Sequence, residues 1–341
     1  MRGSGRQRRG GRFTATFCVA AVAVLLGSEL LVRAADDRLA EPLIYFSPQA
    51  QQVAIDLDIL HANGIRSDIA FVGTSMVRRG IDANRVEGVL TDTEWAHNVA
   101  LPGAQTTVVR RWLHDEVVPK LRPRRVVWGI SSIDFNGARP DKTIDRYEAA
   151  RASEPGFFGD LDRRLLDVAL SHHRDELRDP AALLTAARGN ATTSYERVRP
   201  LQQRAVWELA YPQLSDERLA RLRRNHLATI EDKQLFEFAI GDDELEAFRA
   251  TLRELQDEGI EVAVVFMPVP TGYADAHPGG AAQFEEFKAT IAAETAALDV
   301  TTLDLSTTMS DDDFRDYEHL WVEAAHRFTD LLAERLLDEG W

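Results

Sequence analysis

Residues 68–75 read Asp68-Ile69-Ala70-Phe71-Val72-Gly73-Thr74-Ser75, an apolar run of strand length that stops at a glycine and passes into two hydroxyl side chains. Four consecutive apolar residues leave no polar face, so the strand they form is expected to be covered on both sides, as strands of parallel sheets are. Stretches at 94–99, 125–131, 261–267 and 300–305 repeat the signal, each short and carrying Val, Ile, Leu, Phe or Trp. Amphipathic segments at 107–121, 243–257, 283–298 and 320–337 alternate with them. That alternation predicts an α/β fold, a three-layer α/β/α sandwich around a central, mostly parallel five-stranded sheet with right-handed crossovers.

The long interval between the third and fourth strands, 137–241, is polar and helical in pattern and reads as a helical insertion. Its interleaved arginines and acids fit either solvated helix faces or a platform above the carboxyl ends of the strands, where such sheets bind ligands. His172, His173 and His226 fall in it and read as surface residues. His97, His114, His277 and His326 read as structural or solvent positions, and the prolines of Met267-Pro268-Val269-Pro270 as a strand exit.

A chain of 341 residues with 45% hydrophobic content can hold one large α/β domain with such an insertion. The first twelve residues carry five arginines and no acid, so the rest carries about −20 against a whole-chain formal charge of −15. An acidic body argues against nucleic acid as a partner. Residues 13–32 read FTATFCVAAVAVLLGSELLV, and the basic flank before them marks an exported segment. Its ~20 residues can cross a bilayer as an N-terminal signal anchor; a cleavable signal peptide cut near Ala34 or Ala35 is the alternative. Both place the body outside the cytoplasm. The expected organisation is a cytoplasmic basic tail at 1–12, a transmembrane anchor at 13–35, a linker at 36–65 and the α/β domain at 66–341. The only cysteine, Cys18, lies in the apolar segment, so no intramolecular disulfide supports the domain.

Three dispersed segments carry chemistry. Ser75 stands where the first strand ends. Gly103 closes Asn98-Val99-Ala100-Leu101-Pro102-Gly103 after the second strand, and Asp316 and His319 lie in Asp316-Tyr317-Glu318-His319 before the terminal helix. A serine hydroxyl needs a base within hydrogen-bond reach and an acid that holds the base in the correct tautomer. A spacing of three lets Asp316 and His319 project to one side of a turn. Taken singly, Gly-Thr-Ser is a common helix-capping turn and an acid near a helix start is ordinary.

Taken together, in this order and after these elements, the blocks resemble the SGNH hydrolase superfamily, also called GDSL-like, over roughly 66–137 and 258–340. The resemblance implies Ser75 as nucleophile, His319 as base, Asp316 as the acid that orients it, and Gly103 with the Ser75 amide as oxyanion donors. The family's third block, usually Gly-x-Asn-Asp, is irregular here: Ser131-Ser132-Ile133-Asp134-Phe135-Asn136 follows the third strand, and Asn136 is the candidate donor. Gly-Thr-Ser with an amino-terminal anchor is similar to the membrane-linked branch that handles acyl groups on envelope polymers, such as alginate acetylation and teichoic acid alanylation proteins. That branch implies an esterase or O-acyltransferase without metal or organic cofactor. Its partners would be an acylated polysaccharide or small ester and a multispanning membrane acyltransferase. A membrane-tethered glycan-binding scaffold that lost chemistry is the competing expectation.

Overall fold

The computed structural model of the chain describes residues 48–139 except 88, 91, 92 and 94, residues 143–151 and 215–341, and positions 24, 27, 28 and 30. The expected tail, nearly all of the anchor and 36–47 of the expected linker lie outside these residues, as does 152–214 of the expected insertion with its His172 and His173; the rest of the linker, 48–65, is described and is mostly helix. Among the described residues no helix is long and apolar enough to cross a membrane. The described residues within 48–151 and 215–341 belong to one compact unit.

The element order is α1 (Pro48–Ala62), β1 (Ile69–Val72), α2 (Ser75–Gly80), α3 (Ala83–Val86), β2 (Ala96–Asn98) and α4 (Thr106–Trp112), the last running through a π turn into α5 (Val118–Leu121). There follow β3 (Arg125–Ile130), α6 (Thr143–Arg151), α7 (Asp216–Thr229), α8 (Asp242–Asp257), β4 (Glu261–Phe266), α9 (Thr271–Asp275), α10 (Ala281–Ala297), β5 (Thr301–Asp304) and α11 (Val322–Asp338). The five strands form one parallel sheet in the order β2-β1-β3-β4-β5. With helices flanking the sheet, this is the expected α/β/α sandwich.

Apolar continuity explains the strands. Ile69, Ala70, Phe71 and Val72 are fully buried, and Phe71 lies in register with Asn98 on one side and Val127 on the other. On one side of the core, Phe248 of α8 meets Trp128 at 5.0 Å and Phe135 at 5.3 Å between ring centroids, and Phe287 of α10 meets Phe135 at 5.4 Å. Elsewhere α11 packs on α2 and α3. Its Thr329 hydroxyl accepts from the Asp82 N–H at 3.0 Å, and Arg85 grips Asp330 at 2.9 and 2.6 Å.

The strand order changes direction at β1: the chain leaves it for β2 on one side and later returns to β3 on the other. A crevice opens at the carboxyl ends of strands at such a switch point, and open α/β sheets bind ligands there. Ser75 follows β1 directly. The chain between 137 and 241 leaves and rejoins the body at one place, where Asn136 and Ile240 form an antiparallel bridge and Gly137 N–H bonds to Ala239 O at 2.9 Å.

Candidate active site

Gly73 makes the turn that presents Ser75. Its φ is +139°, and a Cβ there would lie 2.3 Å from the Gly129 carbonyl oxygen. No other residue type lets the chain pass so close to β3 in that conformation. Helix α2 then begins at Ser75 and is locked by two buried polar side chains. Asn98 at the end of β2 donates to the carbonyls of Val77 and Ile81 at 2.9 and 2.8 Å, and Arg78 donates to the Asn98 carbonyl at 2.7 Å while pairing with Asp56 of α1 at 3.3 Å.

The other side of the site is the turn at 314–320. Phe314 and Leu320 form an antiparallel bridge, the Arg315 N–H donates to His319 O at 2.8 Å, and Arg223 of α7 donates to the Phe314 carbonyl at 2.5 Å. Inside it, Asp316 Oδ1 accepts the backbone N–H groups of His319 and Glu318 at 2.8 and 3.0 Å. The same carboxylate accepts from His319 Nδ1 at 2.9 and 3.0 Å, and His319 Nε2 lies 3.0 Å from Ser75 Oγ. The structure thus brings Ser75, His319 and Asp316 into one hydrogen-bonded chain. Because the carboxylate takes the proton on Nδ1, the Nε2 lone pair faces the serine.

Burial works against the Asp316 charge. The charge and hydrogen bond of His319, the His226 imidazole and the Glu318 N–H outweigh it, and hold the carboxyl well below the usual carboxylate range. Asp316 and His319 are buried and Ser75 is half-buried, so the serine is the most open of the three.

Gly103 sits exposed on the loop after β2 with φ +82°, and that loop is tied to the Gly73–Ser75 turn by the Leu101 N–H bonding to Gly73 O at 2.8 Å. The Ser75 N–H opens a helix and has no partner within it. Asn136 is different. Its side chain is fully buried and donates to the carbonyls of Gln234 and Phe236 at 2.8 and 3.2 Å, while its Oδ1 accepts from Ala138 and Ala239. Both amide hydrogens are engaged, so the side chain clasps the 234–239 segment and has no donor left for an oxyanion. The 3₁₀ turn Ser132–Phe135 carries Asn136 away from the strand end toward that segment.

His226 corrects its reading as a surface residue. It is half-buried on α7; Nε2 donates to Glu318 Oε2 at 2.8 Å, Nδ1 accepts the Tyr317 N–H at 3.2 Å, and Nδ1 lies 3.6 Å from Asp316 Oδ1. Burial lowers its proton affinity, but the Glu318 hydrogen bond and the Glu318 and Asp316 charges more than offset that and raise it from the ordinary histidine value. His226, Asp316 and His319 each present a ligand atom within 4.8 Å of the others, a group that could hold a metal ion. An ion there would compete with the His319–Asp316 hydrogen bond. The signal for His226 is in the sequence: Arg218, Arg221, Leu222, Asn225, His226 and Thr229 recur at spacings of three and four, one face of α7, and all six line the cleft beside His319.

A second serine–histidine contact lies nearby. Ser132 Oγ is 2.8 Å from His277 Nε2 and 2.9 Å from Tyr273 Oη, but Ser132 and Tyr273 have no exposed surface and His277 only 3%. Burial lowers the His277 proton affinity and raises the Tyr273 phenol well above its usual range. No substrate reaches this pair; it fastens the 3₁₀ turn to α9. His97 is likewise sealed, with burial pushing its pKa down to about 4.

Scanned against protein-family models the chain matches none, and no curated protein matches it.

Proposed function

We propose that the chain is a serine esterase or O-acyltransferase of SGNH type, anchored by its amino-terminal segment with the α/β body outside the cytoplasm, acting on acyl esters of an envelope or exported polysaccharide. The observation that carries the reading is the unbroken chain from Ser75 Oγ through His319 to Asp316, at 3.0 and 2.9 Å, at the switch point of the sheet. In it, Ser75 Oγ attacks the ester carbonyl carbon while its proton passes to His319 Nε2. The imidazolium is stabilised by Asp316, and the oxyanion by the N–H groups of Ser75 and Gly103. Collapse breaks the ester bond, the departing alkoxide takes the proton from Nε2, and an acyl-Ser75 remains. A water molecule or sugar hydroxyl then gives its proton to Nε2 and attacks the acyl carbon, and Ser75 recovers its hydrogen. An acylated glycan, a small ester and a multispanning acyl donor protein are the partners of this reading.

Turnover of an activated acetyl ester by the full chain in detergent micelles tests it. Ser75→Ala should lower release at least about a thousandfold with the circular dichroism spectrum unchanged; undiminished turnover overturns the assignment. The Asn136 geometry favours one other reading, a glycan-binding scaffold without chemistry, since loss of an oxyanion donor costs about 100- to 1000-fold in turnover. Equal, negligible release from both proteins, folded and offered an acyl donor, would select it.

A further inference from the structure

The cleft beside His319 has a volume of about 740 Å³, and Arg79, Arg218, Arg221 and Arg315 line it. Their origins differ. Arg79 stands four residues after Ser75 on α2, so nucleophile and guanidinium share one helix face a turn apart. Arg218 and Arg221 come from α7, on the face that also carries His226. Arg315 is engaged with Asp316 at 3.9 Å. Among the described residues, Arg79, Arg218 and Arg221 make no ion pair and no hydrogen bond. The acids nearest the cleft are already matched: Asp316 to His319, and Glu318 to His226.

Three unpartnered guanidinium groups converging on one concavity, in a chain with 55 acids against 40 bases, repel one another unless an anion joins them. Guanidinium groups bind carboxylate and phosphate oxygens in a bidentate fork; Arg79 is half-buried and Arg218 and Arg221 are exposed, so an anion reaches all three from solvent. We propose that this cleft is an anion subsite that holds a carboxylate or phosphate of an acidic glycan while a neighbouring ester of the same chain reaches Ser75. The inference rests on the esterase reading for the second half of that statement; the binding half stands without it. A neutral ester would reach the same serine without the anchoring, so the arginines select acidic polymers by lowering KM and aligning the ester.

The test uses the full chain in detergent micelles. Calorimetric titration of the Ser75→Ala protein with oligogalacturonate, with a glycerol phosphate oligomer and with neutral xylo-oligosaccharide separates carboxylate, phosphate and neutral ligands without turnover. One of the two anionic oligomers should bind, the neutral one at least about tenfold more weakly, and the Arg218→Gln/Arg221→Gln pair should weaken anionic binding about tenfold or more. Arg218→Lys/Arg221→Lys should restore part of that loss, as charge alone does in place of a fork. In the protein with Ser75 intact, kcat/KM for acetylated oligogalacturonate should fall at least fivefold further than kcat/KM for acetylated xylo-oligosaccharide in the Gln pair. Equal binding of neutral and anionic oligomers, or anionic binding undiminished in the folded Gln pair, overturns the subsite. If ester turnover fails while anionic binding and its arginine dependence hold, the esterase reading falls and the subsite remains.

Discussion

At the residue scale, the site divides side chains by whether water reaches them. Ser75 is half-open and reactive in type; Asp134, two residues after the sealed Ser132, is its opposite. Asp134 is 3% exposed, its Oδ2 accepts the Ser131 N–H at 2.7 Å, and its Oδ1 has no partner among the described residues. Burial, against the opposing Ser131 bonds, pushes its pKa from 3.8 up to about 8. The folded protein therefore holds a proton that the unfolded chain releases near pH 4. The stability this contributes is fully present below that pH and drains away as pH rises through about 8. Asp134→Asn should flatten the fall of Tm between pH 5 and pH 9; parallel curves for variant and parent would refute the buried-proton account. The Ser75–His319–Asp316 chain was legible because Ser75 stands at the turn directly after β1 and the other two lie in the short turn before α11. Asn136 was misleading for a physical reason: type and approximate position suited a donor, but orientation is fixed by carbonyls about a hundred residues away.

At the element scale, strands were legible because parallel strands buried on both faces write themselves as apolar runs, and all five expected runs are strands of the sheet. Boundaries moved by one or two residues, as at 94–99, where only Ala96–Asn98 pairs as β2. The wall of the cleft was harder to see. α7 has no fully buried residue and a polar composition, so its pattern resembles a solvated helix until the 314–320 turn is placed against it. The strand-to-helix turn is the most constrained element. A Cβ on Gly73 would also lie 2.6 Å from Val77 Cγ2, so Gly73→Ala combines a disfavoured φ with overpacking. A loss of about 2–4 kcal/mol in urea denaturation is expected, with a larger proportional loss of esterase rate as Ser75 shifts. A stability change under 1 kcal/mol would show that the turn relaxes freely.

At the scale of the whole molecule, the Ser75–His319 contact joins residues 244 apart in sequence, and α11 is pinned to α2 and α3 by Thr329 and the Arg85–Asp330 pair. Ser75 and His319, the proposed nucleophile and base, thus come from opposite ends of the sequence of one body. Ester turnover should fall in step with far-UV ellipticity across a urea titration, with one midpoint for both. Activity lost well before ellipticity would mean that the 314–341 segment peels away by itself. The sealed Ser132–His277 pair has a further consequence, at the bench. Among the described residues a fluorophosphonate reagent meets three serine–histidine pairs, Ser75–His319 half-open to water and Ser132–His277 and Ser67–His97 dry. Folded protein should be tagged once, at Ser75, and the untagged Ser132 peptide in the same digest serves as an internal blank that no separate variant can supply.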